Sequence, residues 1–508
     1  MKNISAIQET ILLTQNIYAN SPLYNVGGYA LIEGELQTSV LIKSIEDILN
    51  NADTIAIGFQ CFQEGGMKNN TESEKYSINS IDFSTAVDPV QSCLSWMIDD
   101  IKIPFDTNEN LLQVSLLKAA EQKYYWYTKV HHLIFDGYAM SLFFNKVSTL
   151  YSFMVSGSSW HTIRNDFPYM DFIRHEYDYR LSDSYKNDKD FWLSKLSVIS
   201  ENKAFQACMK SSVSESLTSS RQEIAIPRSL YEAISFFCKH YNCTAFHYFI
   251  ATLLILNRCY NEGGAVIGIP VFNRKNKNFK NTLGTFVNIL PFNDVLMKGD
   301  SFIEVLIQVK NEIRECYKHQ QFPLYDILQE LDRPGNIYNV SFSYQKNDYK
   351  AKLGEANAAI QYLHSGAQQE DLMFHLLEYS ATEDLTLSLD YKSGNFSGEV
   401  IHKLLGHFNN LLYSFYAHPD QPLNQLDYLL PEEKSQLLED FNATFKAYPD
   451  QRITAFFEAQ VAKTPDDIAL VFEENVLTYR QLNEQSNQLA AYLRSTYAVQ
   501  AGELVGIL

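Results

Sequence analysis

His131-His132-Leu133-Ile134-Phe135-Asp136-Gly137 places two imidazoles, a carboxylate and a glycine within seven consecutive residues. An imidazole titrates near pH ~6.5, so a histidine here can accept or donate a proton at neutral pH. Adjacent side chains on a strand point to opposite faces, so only one of His131 and His132 can enter a given cleft. Asp136, across a turn, can pair with a cation and fix the loop. Gly137 can take a backbone conformation that other residues resist, and it permits close approach of a substrate. Two partly buried histidines closing a strand are the bland alternative. The whole pattern favours chemistry, because all of its parts together rarely recur by chance.

The elements around the motif must hold it at a cleft. Residues 123–130, Lys-Tyr-Tyr-Trp-Tyr-Thr-Lys-Val, are aromatic and β-branched and read as a buried strand. The aromatic run Tyr124–Tyr127 is read as core rather than as a ligand site. Residues 138–154 read as a helix, so the motif lies at a strand exit just before a helix. Helical spacing is also found at 5–16 and 38–50. After about residue 180 the pattern restarts, with strand-like runs at 221–226, 265–269, 286–292, 338–344 and 384–391. Helices are expected over 229–257, split near Asn242, and over 301–318 and 398–416. Two successive α/β segments of similar size imply two lobes, 1–180 and 181–425. Residues 426–450 hold prolines among polar residues and read as a linker, with a short helical stretch at 430–440. A new unit then begins at 451–508: a helix at 452–463, a strand at 468–473 and a helix from Tyr479 to about Arg494. It is too short to close a core, which implies a piece of a longer protein.

Composition narrows the class. The 508 residues are 46% hydrophobic and 20% charged, as in a folded soluble protein. A net charge of -19 argues against nucleic-acid binding, which needs a basic face. The apolar run Tyr248–Leu256 is about half a membrane span, and the N-terminus lacks a signal-peptide core. No membrane association is expected, and a cytoplasmic location is. The seven cysteines, Cys61, Cys93, Cys208, Cys238, Cys243, Cys259 and Cys316, show no zinc spacing, so no metal site is expected.

Further stretches match a known family in order and spacing. The His-His-x-x-x-Asp-Gly pattern resembles that of condensation domains of nonribosomal peptide synthetases, in the chloramphenicol acetyltransferase-like superfamily. Phe167-Pro-Tyr-Met-Asp171-Phe172 resembles the family's Tyr-x-Asp-Phe segment, and Leu283-Gly284-Thr285-Phe286-Val287-Asn288 its Gly-x-Phe-Val-Asn segment. His319-Gln-Gln-Phe-Pro323-Leu-Tyr-Asp326 resembles its His-Gln-x-x-Pro-x-Glu segment, and Asn339–Tyr344 sits where the family has a central strand. Phe441-Asn442-Ala443-Thr444, Thr464-Pro465-Asp466 and Leu477–Leu482 resemble the linker and first part of an adenylation domain. Ser21-Pro22-Leu23-Tyr24-Asn25 is similar to the first segment of enterobactin- and bacillibactin-type synthetases, which suggests a siderophore-like product.

The resemblance implies an α/β (α+β) fold: two chloramphenicol acetyltransferase-like lobes in a V-shaped pseudo-dimer with a central tunnel, plus a short adenylation-domain fragment. It implies an acyltransferase that joins a donor acyl thioester to the amine of an aminoacyl thioester. No cofactor is bound covalently; phosphopantetheine arms of carrier proteins deliver the substrates. The expected partners are a donor carrier protein in trans, a downstream carrier domain and the adenylation domain of the full chain. His132 is the expected catalytic residue, with the Gly137 N–H near the developing oxyanion. His131 and Asp136 are expected to support the site. Many family members carry an arginine where this chain has Ala56, so Arg274 is the replacement partner for Asp136. Asn288 and Tyr138 are candidate tunnel residues. The alternatives are a starter condensation domain using a fatty acyl-CoA or lipid carrier, an epimerisation domain, and a non-catalytic recruitment platform.

Overall fold

The computed structural model describes residues 4–55, 76–107, 109–157, 167–197, 203–211, 214–261, 264–293, 301–331, 337–346 and 352–507. Ala56 and Cys61 lie outside them. The chain divides into two units, Met1–Leu430 and Pro431–Leu508.

The first half of unit one contains α1 (Ala6–Ile17), β1 (Asn25–Glu33), α2 (Thr38–Asn50), β2 (Ser77–Asp82), α3 (Pro89–Asp100), β3 (Leu112–Ala120), β4 (Lys123–His131), α4 (Gly137–Val155), α5 (Tyr169–Arg180) and α6 (Asp183–Leu196). Ser5 starts α1 with a capping box closed by Gln8. In α2, Leu41, Ile45, Ile48 and Leu49 recur at helical spacing and are buried. Trp126 of β4 packs edge-on against Phe143 and Phe144 of α4, which fixes that helix over the strand carrying the motif.

The second half contains β5 (Ser219–Ile226), α7 (Arg228–His240), α8 (Ala245–Tyr260), β6 (Val266–Val271), β7 (Asn288–Asn293), α9 (Phe302–Lys318), α10 (Leu324–Glu330), β8 (Val340–Lys346), β9 (Lys352–Leu353), β10 (Ala356–Leu363), β11 (Leu372–Glu378), β12 (Leu385–Lys392) and α11 (Gly398–Ala417). The split near Asn242 falls between α7 and α8, and Asn242 takes the left-handed conformation at φ 53°. The apolar run Tyr248–Leu256 lies in α8 and is buried throughout, at the centre of this half's core.

Two six-stranded sheets result. One runs β2-β3-β4-β1-β10-β9 and the other β5-β12-β11-β8-β6-β7. The first takes two strands from far beyond residue 180: β10 pairs antiparallel with β1 from Gly27↔Leu363 to Glu33↔Asn357. A small aromatic cluster, Tyr169, Phe172, Ile173, Phe279 and Phe286, joins α5 to the segment leading into β7.

Unit two holds α12 (Pro431–Ser435), a π-turn at Gln436–Asp440, α13 (Ile453–Lys463), the hairpin β13 (Ile468–Phe472) and β14 (Asn475–Thr478), and α14 (Tyr479–Tyr497). None of its described residues is buried. Among the described residues of the whole chain, no helix is long and apolar enough to cross a membrane.

Candidate active site

β4 ends at His131, and the chain turns for five residues before α4 begins at Gly137. The turn is tied to its surroundings on three sides. The His132 N–H donates to the Tyr24 carbonyl at 2.8 Å, and the Thr285 hydroxyl donates to the His132 carbonyl at 2.6 Å. The Gln8 side-chain amide donates to the Leu133 carbonyl at 2.8 Å.

The two histidines part as strand geometry requires. His131 is 1% exposed. Its Nδ1 accepts from the Leu133 N–H at 3.1 Å, which leaves Nε2–H to donate to Gln15 Oε1 at 3.1 Å. Burial pushes its pKa down to about 3, and protonation next to the His132 imidazole is disfavoured further. His132 lines a cavity of about 1220 Å3. Its Nδ1 is buried with no hydrogen-bond partner among the described residues. Burial lowers its pKa, against the pull of the Asp136 carboxylate and its own backbone carbonyl. The ring is therefore neutral at pH 7 and able to accept a proton.

Asp136 lines the cavity next to His132 and Gly137, and its carboxylate is engaged on both oxygens. Its carboxylate accepts from the Ala139 N–H at 2.7 Å, capping α4, and from the Phe286 N–H at 3.0 Å. Arg274 grips it with two nitrogens, at 2.8 and 3.1 Å. Burial alone would raise its pKa; the Arg274 guanidinium and the two amides outweigh that and lower it. Arg274 is 2% exposed, donates also to the Gly284 carbonyl at 3.1 Å, and lies over the Phe286 ring at 4.0 Å. The geometry thus pairs the two residues that the sequence suggested as partners.

Three sequence-based expectations change. Gly137 does not adopt a left-handed conformation, and a Cβ there would first meet Gln345 Oε1 at 3.7 Å. It lines the cavity as the first residue of α4, where its N–H has no acceptor within the helix. Tyr138 does not line the cavity. It is 40% exposed and stands edge-on to Phe272 at 4.3 Å, beside the Arg274 guanidinium, because α4 turns its second residue away from the first. Asn288 does line the cavity, but its amide is spent on a brace: Nδ2 donates to the Gln320 and Phe322 carbonyls at 2.9 and 2.8 Å, and Oδ1 accepts from the Leu324 N–H at 3.3 Å.

The cavity also has polar lining residues that the sequence did not suggest. Glu176 of α5 accepts from the Ala6 N–H at 2.7 Å, and burial raises its pKa to about 7. Glu370, Arg221, Asp390, His364 and His375 also line the cavity. Asp390 lies opposite Arg221 in the β12–β5 pairing, and His375 opposite Ser343 in β11–β8. Such partners are assembled by sheet register, which leaves no local spacing to read.

A family model for the condensation domain matches residues 1–438, and one for AMP-binding enzymes matches residues 457–508. The chain is 24% identical to a dimodular nonribosomal peptide synthase of Bacillus subtilis (strain 168), over 97% of this chain and 21% of the relative. It is 25% identical to tyrocidine synthase 2 of Brevibacillus parabrevis, over 99% of this chain and 14% of that one. It therefore spans about a fifth of the first relative and less of the second. Its fold is similar to a mutant starter condensation domain of rhizomide synthetase RzmA in complex with C8-CoA, with a TM-score of 0.74, 22% identity, and 84% of this chain and 97% of that chain covered. It is also similar to the first condensation domain of the calcium-dependent antibiotic synthetase with a substrate analogue, with a TM-score of 0.72, 19% identity, and 84% and 98% covered.

Proposed function

The chain belongs to the condensation-domain family, and from that premise we propose that its cavity forms an amide between a donor acyl thioester and the amine of an aminoacyl thioester. Condensation domains are acyltransferases of nonribosomal peptide synthesis. The observation that carries the reading for this chain is His132, a neutral imidazole lining the cavity beside the N-terminus of α4.

The acceptor amine nitrogen attacks the donor carbonyl carbon, and the carbon–sulfur bond breaks as the amide forms. An α-amino group has a pKa near ~7.7–8, so a useful fraction is neutral at physiological pH. His132 orients this amine and takes its proton as the carbon–nitrogen bond forms, then returns it to the departing thiolate of the donor arm. The Gly137 N–H, at the positive end of α4, faces the charge that develops on the carbonyl oxygen. Asp136 and Arg274 hold the turn. His131, neutral and hydrogen-bonded on both nitrogens, supports it.

The donor arrives on a carrier protein in trans, and the acceptor on a carrier domain downstream of the adenylation domain that residues 451–508 begin. The two lobes are 1–180 and 181–425, the second lending β9 and β10 to the sheet of the first, with a linker at 426–450. A cytoplasmic setting fits the six described cysteines, all free.

Mass spectrometry of carrier-bound products tests the assignment. With loaded donor and acceptor carriers, His132→Ala is expected to lower the rate of product formation by about 10²–10⁴-fold. Equal product from both proteins sinks the catalytic role of His132.

A further inference from the structure

Gly137 opens α4, and a glycine is the least restrained residue that could stand there. It has no side chain to hold its peptide groups, so their restraint comes from outside. Two hydroxyls supply it. Ser141 Oγ, one turn along α4, lies 3.2 Å from the Gly137 carbonyl oxygen, and the Tyr362 phenol lies 3.3 Å from the same oxygen. The two hydroxyls are 2.9 Å apart. Each has one hydrogen to give, so one hydroxyl donates to the other and that one donates to the carbonyl.

Tyr362 reaches this turn from far along the chain. It sits in β10, opposite Gly28 of β1. A Cβ on Gly28 would lie 3.3 Å from Tyr362 Cδ1, so the tyrosine ring rests on bare β1 backbone. The ring is half-buried and lines the cavity together with His132 and Gly137. β1 pairs on its other side with β4, whose last residue is His131. One sheet therefore holds the motif at both ends: β4 delivers the histidines, and Tyr362 reaches back to the helix that follows them.

We propose that Tyr362 is a positioning residue for the condensation reaction, acting through Gly137. Its phenol, with Ser141, holds the Gly137 carbonyl. That limits both backbone rotations of the glycine and so fixes the direction of the N–H offered to the developing oxyanion. The inference rests on the condensation reading given above. It makes the oxyanion donor, which belongs to the first half of the chain, depend on a side chain from the second.

Tyr362→Phe removes the hydroxyl and keeps the ring on Gly28. With loaded donor and acceptor carriers, it is expected to lower kcat by about three- to tenfold, the scale of one hydrogen bond, and to leave KM for both carriers unchanged. Ser141→Ala is expected to do the same, and the double variant to lose no more than the worse single one, because the two hydroxyls act as a unit. Hydrogen exchange followed by mass spectrometry gives a readout that needs no turnover. Peptides covering the first turn of α4 are expected to exchange faster in Tyr362→Phe, and peptides from α9 to exchange as in the wild type. An unchanged kcat overturns the inference. So does a raised KM at constant kcat, which makes the phenol a substrate contact, or a fall in kcat with unchanged exchange in α4, which makes it act on the reacting atoms directly. Losses that simply add in the double variant overturn it as well. Wild-type protein that forms no product overturns the condensation reading itself, and the exchange result then decides alone whether Tyr362 latches α4.

Discussion

Asp136 receives four hydrogen bonds from three chain segments, and Arg274 supplies two of them. Removing the guanidinium leaves a buried carboxylate without a counter-charge, so Arg274→Ala is expected to destabilise the protein by about 3–5 kcal/mol in chemical denaturation. Replacing both partners, Asp136→Asn with Arg274→Leu, is expected to regain part of that loss, because no charge is then stranded. The sign with pH follows from the lowered Asp136 pKa. Its contribution is fully present above the ordinary value of 3.8 and is lost as pH falls through the lower folded value. At this scale much of the site was legible. The strand-to-helix context divides the two histidines, and the departure at Ala56 leads to Arg274. Tyr138 was misread because adjacency to a motif in sequence does not carry over to a helix, where the next residue turns about 100° away. Asp390 was invisible, because only its register opposite Arg221 builds the pair that lines the cavity.

Two glycines separate the demands of elements from those of the cavity. A Cβ on Gly284 would lie 2.2 Å from Tyr169 Cδ2, inside the aromatic cluster joining α5 to the β7 approach. Gly284→Ala is expected to cost about 1–3 kcal/mol, seen as a lower melting temperature. Gly137→Ala meets nothing closer than 3.7 Å at the start of α4 and is expected to keep the wild-type melting temperature. Any loss of turnover in that variant then reports the crowding of substrate. The strongly patterned elements were readable: α2, β4, α8, α9 and α11 lie within about three residues of their expected bounds. β1 and β10 were not, for a physical reason. β1 carries Gly27-Gly28 and β10 carries Ala356, Ala358 and Ala359, residues that pack little surface and give a weak strand signal.

At the scale of the molecule, the boundary after Leu430 separates a unit with two large cores from one with no buried described residue. Brief protease treatment is expected to cut first in the exposed 431–452 stretch and leave a fragment ending near Leu430, whose mass and melting transition check the boundary. The two halves of unit one do not part so simply. β1 has β4 on one side and β10 on the other, and β10 arrives more than three hundred residues later. A gene split near residue 180 would therefore not yield two soluble lobes. Its first product would present β1 from Gly27 to Glu33 as a bare edge of unpaired amides and carbonyls, ready to recruit any extended chain nearby. During synthesis that edge stays open until residues 356–363 emerge, so the first lobe is an aggregation hazard for most of the time the ribosome spends on the second.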